Sequence, residues 1–137
     1  MWPSGGPKGC LWSNEGSSNF PVKTLFILND PPYGSERSYN GLRLAGALSK
    51  APEGEVRVFL IGDAVACAKV GQKVAEGFYN IQLMLNRVVR NNGKVGLCGS
   101  CMDARGIDDT ELSAGAERSS MDELAQWTQW ADKVLVF

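Results

Sequence analysis

Four short apolar runs, at residues 22–28, 56–61, 94–97 and 133–137, are separated by segments that carry helix signals, and this alternation restricts the chain to few folds. Strands that alternate with helices run in one direction, so the pattern predicts an α/β domain: a mostly parallel sheet of about five strands with helices on both faces. With 137 residues and 44% apolar content, the chain can bury one core without disulfide or metal support. A second domain is not expected.

Local signals place the elements. The run at 22–28 reads as a buried strand, and Asn29-Asp30-Pro31-Pro32-Tyr33-Gly34 ends it with strong turn chemistry. Ser35 is positioned to cap a helix that turns Tyr39, Leu42, Ala45 and Leu48 inward before Ala51-Pro52-Glu53-Gly54 stops it. Gly62-Asp63 breaks the second strand and opens a short helix containing Ala64, Val65, Cys67 and Ala68. Ile81, Met84, Leu85 and Val88 share the face of a helix over 80–91, with Asn92-Gly93 at its end. Asp108 or Asp109 caps a short helix to Leu112, and a brief extended segment covers 116–118. Ser120-Met121-Asp122-Glu123 has the form of a capping box, for a helix burying Met121, Leu124, Trp127 or Thr128, and Ala131. Residues 1–20, rich in Gly, Ser, Pro and Asn, read as a flexible tail in which Cys10 is incidental. Residues 21–137 then form the folded domain.

Composition narrows the partners. The 14 basic and 15 acidic residues leave no positive excess for nucleic-acid phosphates or anionic lipid, so small molecules or proteins are the expected partners. No stretch approaches the roughly 18 apolar residues of a membrane span, and the first residues have no basic and apolar signal pattern, so the expected location is the cytosol. Histidine is absent, which removes the usual general base of cysteine and serine hydrolases and the commonest neutral metal ligand. Four cysteines, at 10, 67, 98 and 101, read as reduced thiols in a chain with enough core to fold without them.

Chemistry concentrates in Lys94-Val95-Gly96-Leu97-Cys98-Gly99-Ser100-Cys101-Met102-Asp103-Ala104-Arg105-Gly106, where a strand gives way to a helix. Sites in open parallel sheets collect at the C-terminal edge of the strands, and three loops meet there: Asn29 to Ser35, Gly62 to Cys67, and Leu97 to Cys101. At a helix start, unpaired backbone N–H groups and the macrodipole favour a thiolate, which makes Cys98 the nucleophile candidate and Cys101 a resolving thiol. Arg105, four residues after Cys101, shares its helix face and favours ionisation, while Asp103 opposes it if turned inward. Gly96 and Gly99 leave the thiol open, and Gly99 and Ser100 offer backbone amides to a bound anion or persulfide. Asn29, Asp30, Tyr33, Gly34, Gly62, Asp63 and Cys67 are candidate binding residues on the neighbouring loops, although a plain tight turn explains the Asp30 to Gly34 segment at least as simply and a packed buried thiol is the favoured reading of Cys67. One C-x-x-C is at best half a zinc site, so no metal centre and no cofactor are expected. A thioredoxin-type pair normally follows the first strand of its domain, whereas this one comes late. Trp127 and Trp130 read as packing or subunit-contact residues.

From Lys23 to Phe137 the order of elements resembles the DsrE/DsrF-like family, which includes the YchN-like proteins and the sulfur-relay subunits related to TusD. The resemblance is carried by the first strand with Asn29-Asp30-Pro31-Pro32-Tyr33-Gly34, by Tyr39-Asn40-Gly41-Leu42-Arg43-Leu44-Ala45, by Phe59-Leu60-Ile61-Gly62-Asp63-Ala64-Val65, by Cys98 with Arg105-Gly106, and by the closing Ala131 to Phe137 run. It implies a three-layer α/β/α sandwich, a homo-oligomer (trimer or hexamer), and a cysteine at the place of Cys98 that carries persulfide sulfur between donor and acceptor proteins. The chain departs from the relay subunits in its second cysteine, Cys101, so a disulfide could compete with the persulfide. Three functions follow: a sulfur-relay carrier, a small-ligand or protein-binding oligomeric module without thiol chemistry, and a C-x-x-C dithiol redox protein.

Overall fold

β1 (Lys23–Leu28), β2 (Glu55–Leu60), β3 (Lys94–Cys98), β4 (Ala116–Ser119) and β5 (Lys133–Val136) form one sheet in the order β4-β3-β2-β1-β5, with every neighbouring pair parallel. The computed structural model describes residues 22–137; the tail expected over residues 1–20, with Cys10, lies outside the described residues. Three successive connections step the chain outward from β1 to β4, and the last returns to the far edge. Right-handed crossovers therefore put α1 (Arg37–Ser49) and α2 (Ile81–Arg90) on one face and α4 (Met121–Trp130) on the other, the three-layer arrangement expected.

Side-chain parity confirms the layers. Phe59 on β2 meets Trp127 of α4 edge to face at 6.0 Å, and Arg57 stacks over Trp130 at 3.8 Å. Val56, Val58 and Leu60 alternate with them and are buried on the α1 and α2 side. Helix α1 buries Leu42 and Ala45 as expected together with the small residues Ser38, Gly41 and Gly46, while Tyr39 and Leu48 are half-buried. A Cβ at Gly41 would stand 2.6 Å from Leu28 Cδ2, so glycine lets the helix lie directly on β1.

The termini of the helices follow their local chemistry with two shifts. Ser120 caps α4 by accepting from the Glu123 N–H at 3.2 Å, but the Glu123 carboxylate turns to the Ser119 hydroxyl at 2.7 Å, so half of the capping box is diverted to β4. Ser35 lies just before α1, accepting from the Arg37 N–H at 3.4 Å while donating to Asp30 at 2.6 Å. Asp108 and Glu111 complete a reciprocal capping box around the 3-10 turn Asp109–Glu111. Met121, expected inside, is 60% exposed, and Thr128 faces out while Trp127 is buried. Among the described residues a single helix covers the α4 face, and Val134 and Val136 on edge strand β5 remain exposed beside it.

Candidate functional site

Strand β3 ends on Cys98, and α3 (Gly99–Ala104) begins at the next residue, so the strand C-terminus and the first helical turn share one cysteine. Cys98 Sγ accepts from the Cys101 backbone N–H at 3.4 Å and lies 3.3 Å from the Ser100 hydroxyl. Burial works against the Cys98 thiolate, but hydrogen bonds from the Cys101 thiol, the Ser100 hydroxyl and the backbone N–H groups of Cys101 and Ser100 outweigh it. The pKa therefore falls below the ordinary thiol value. Helix α3 is only six residues long, so these individual donors, rather than a long macrodipole, do the stabilising.

Cys101 behaves oppositely. Burial raises its pKa first, then the hydrogen bond it shares with Cys98 and the Cys98 charge, while the Gly62 backbone N–H and Arg105 pull it down. The pair is thus asymmetric, and Cys98 ionises before Cys101.

Neighbouring loops build the walls. Arg105 donates from Nε and Nη2 to Asp63 Oδ1 at 3.0 and 2.8 Å and from Nη1 to the Cys101 carbonyl at 3.0 Å, clamping α3 to the 3-10 helix Gly62–Ala68. Gly62 has φ +60°, and a Cβ there would face the Asn29 carbonyl at 3.8 Å, which brings the first loop to the same edge. Asn29 itself ties the C-terminus down, donating from Nδ2 to the Phe137 carbonyl at 3.1 Å. The Asp30 carbonyl accepts from the Ser38 hydroxyl at 2.7 Å and lies 3.8 Å from Cys67 Sγ. Tyr33 leaves the thiols and joins the loop before α2, donating to Gln72 at 2.7 Å and accepting from the Ile81 N–H at 3.2 Å. Gly34, at φ +103°, only completes the turn.

The structure thus brings Cys98, Gly99, Ser100, Cys101, Arg105, Gly62, Asp63 and Asn29 together, sets Asp30 and Cys67 behind them, and leaves Tyr33 and Gly34 aside. Cys98 is more enclosed than its place at a turn suggests, only 7% exposed, because β4 crosses beside it. Gly96 sits under Trp127, and a Cβ at Gly99 would meet Arg118 and the Ser119 carbonyl at 3.1 Å. Both glycines serve close packing around the thiol.

Two residues of the site carry no sequence signal. Arg118 on β4 donates to the Gly99 carbonyl at 3.1 Å, to Asp103 at 3.0 Å and to Asp109 at 2.7 Å, which fixes the start of α3 and turns Asp103 away from the thiols. Gln72 donates from Nε2 to the Cys67 carbonyl at 2.9 Å and the Lys69 carbonyl at 3.0 Å, holding the loop that follows the 3-10 helix. The charged Arg-Gly pair after the cysteines is visible in the sequence; an arginine on a later strand and a glutamine in an irregular loop are not.

The profile of the DsrE/DsrF-like family matches residues 22–137. The chain belongs to this family. It is 47% identical over 116 residues to protein YchN of Escherichia coli, covering 84% of this chain and 98% of that protein. The Methanopyrus kandleri protein MK0008 is 36% identical over 112 residues, covering 81% of this chain and 90% of that protein. The crystal structure of the E. coli YchN protein superposes with a TM-score of 0.80, covering 85% of this chain and 99% of that one. Membership in the DsrE/DsrF-like family and the shared YchN fold account for the layers described above, and no helix among the described residues is long and apolar enough to cross a membrane.

Proposed function

We propose that this DsrE-like protein is a sulfane-sulfur carrier in which Cys98 accepts and passes on sulfur as a persulfide. The observation that carries the reading is the Cys98 thiol, buried yet held toward the thiolate by Ser100 and Cys101. The Cys98 thiolate attacks the outer sulfur of a donor persulfide, forming a new S–S bond while the donor leaves as a thiolate. An acceptor thiolate then attacks the same outer sulfur, and Cys98 departs as the thiolate it began as. No oxidant or reductant is consumed. Gly62, Asp63, Gly99, Ser100 and Arg105 hold the thiol pair in place, while Asn29, Asp30, Tyr33, Gly34 and Cys67 shape the adjoining loops.

A carrier requires docking surfaces more than a substrate cavity. A cavity of about 540 Å³ lies at the opposite, N-terminal edge of the sheet against Thr24, Leu48, Val56 and Leu135, away from the thiols. The partners are sulfur-donor and sulfur-acceptor proteins in the cytoplasm. The chain acts as a homo-oligomer, trimer or hexamer, and the exposed Val134 and Val136 beside α4 support such an assembly.

The test is intact-protein and peptide mass spectrometry after incubation with a cysteine desulfurase and its substrate, comparing wild type with Cys98→Ser and Cys101→Ser. The expected result is the mass of one sulfur atom on the Cys98 peptide, seen with Cys101→Ser, transferable to an acceptor thiol and lost in Cys98→Ser. Sulfur on Cys67 alone, or neither sulfur on any thiol nor hydrosulfide released with a Cys98–Cys101 disulfide, overturns the reading and favours a binding module that ignores its cysteines.

A further inference from the structure

We propose that Cys101 resolves the Cys98 persulfide, closing a Cys98–Cys101 disulfide and releasing the outer sulfur as hydrosulfide. The protein then has a second activity, reducing sulfane sulfur as well as carrying it. This inference rests on the persulfide reading of Cys98.

The geometry supplies the attacking group. The Cys101 backbone nitrogen lies 3.4 Å from Cys98 Sγ, so both sulfurs belong to one helical turn and react as an intramolecular pair. Cys98 is 7% exposed and Cys101 beside it is half-buried, so Cys101 reaches the inner sulfur without any docking step. Cys67 is no competitor, since it is fully enclosed and lies against the Asp30 carbonyl.

The electrostatics supply the timing. While Cys98 is a thiolate, its charge and its hydrogen bond keep the proton on Cys101. Bonding a sulfur to Cys98 Sγ takes the negative charge off that atom, and both influences weaken together. Burial then opposes the Cys101 thiolate against the Gly62 N–H and the Arg105 charge, which remain in place to favour it. Loading Cys98 thereby arms its neighbour.

The step balances. The Cys101 thiolate attacks Cys98 Sγ, a new S–S bond forms, and the bond from Sγ to the outer sulfur breaks with its electron pair on the leaving sulfur. That sulfur keeps its proton and departs as hydrosulfide, reduced by one oxidation level, while the Cys101 sulfur is oxidised by one and the Cys98 sulfur stays at the disulfide level. A dithiol reductant restores the pair for another cycle.

The experiment treats the full chain, without air, with a low-molecular-weight thiol persulfide, and follows hydrosulfide release together with peptide mass. Wild type is expected to release one hydrosulfide per chain and to end as the Cys98–Cys101 disulfide. Cys101→Ser should keep the added sulfur on Cys98 and release at least ~10-fold less; Cys101→Ala serves as a second variant should the serine perturb α3. A stable Cys98 persulfide in wild type without disulfide overturns the resolving step and leaves the carrier reading standing. Disulfide without hydrosulfide is ordinary oxidation and also overturns it. No sulfur on Cys98 in either variant, with no release from wild type, overturns both.

Discussion

Cys67 and Cys98 occupy the same edge of one sheet and are both more than nine-tenths enclosed, yet their thiols are driven in opposite directions. Cys67 sits in the 3-10 helix among Ala64, Val65 and Ala68, where burial pushes its pKa to about 12. Its hydrogen bond with Ser38 lowers the value only partly, and the Asp30 charge adds to the rise. Cys98 suffers burial too, but it ends a strand where the turn into α3 aims several donors at its sulfur. Position at a functional edge therefore does not make a thiol reactive. The supply of donors does, and it is set by where secondary structure changes type.

The largest effect that contrast predicts is in reactivity. At neutral pH a rise from 9.0 to about 12 cuts the thiolate fraction of Cys67 roughly 1000-fold relative to an ordinary thiol, before steric enclosure is counted. Peptide-resolved alkylation with iodoacetamide should therefore label Cys98 at least ~1000-fold faster than Cys67. Comparable rates would show that the two neighbourhoods do not differ as described.

The same contrast should appear in stability against pH. The folded pKa of Cys67 lies above its unfolded value, so the folded state holds a proton that the unfolded state loses first. The contribution is fully present below pH 9.0, the unfolded value, and is lost as pH rises toward about 12, by up to ~4 kcal/mol across that window. Denaturant melts of wild type and Cys67→Ser, compared from neutral to alkaline pH, should diverge in this direction, since the serine does not titrate there. Parallel curves would remove Cys67 from the buried, protonated class.

Gly99→Ala probes the other neighbourhood through its packing. A Cβ there would meet the Ser119 carbonyl and Arg118 at 3.1 Å, so α3 must shift from β4 at a cost of about 1–3 kcal/mol. The shift also moves the donors around Cys98. Slower alkylation of Cys98 should accompany the lowered melting temperature, whereas Cys67 should not change. A stability loss with unaltered Cys98 reactivity would separate the packing of α3 from the activation of the thiol.

Much of this arrangement was legible because it is written in local periods. The strands, the inward face of α2, a cap at Asp108 and the convergence of three loops on one edge follow from apolar spacing and turn residues. What escaped was long-range. The apolar stripe of α1 marks Leu42 and Ala45, but the burial of Ser38, Gly41 and Gly46 beside them, and the close approach of Gly41 to β1 and Phe137, left no apolar trace. Arg118 reaches back 19 residues to the Gly99 carbonyl, and nothing in a short edge strand announces that reach. The enclosure of Cys98 likewise depends on β4 pairing with β3, a tertiary fact.

The smallest effect isolates a single donor. Ser100 is exposed, so Ser100→Ala leaves the core untouched and removes the hydroxyl 3.3 Å from Cys98 Sγ. The backbone N–H groups of Cys101 and Ser100 and the Cys101 thiol remain, so the Cys98 pKa should rise without losing all of its support. One neutral hydrogen bond contributes about 1 kcal/mol or less, which predicts roughly a threefold slower alkylation of Cys98 at neutral pH. Thiolate ultraviolet absorbance followed against pH checks the direction independently, because a rise moves the titration toward alkali. An unchanged titration would assign the low pKa to the backbone donors and Cys101 alone. The C-x-x-C spacing would then be the sufficient cause of Cys98 activation, and the serine between the cysteines a solvent-facing residue.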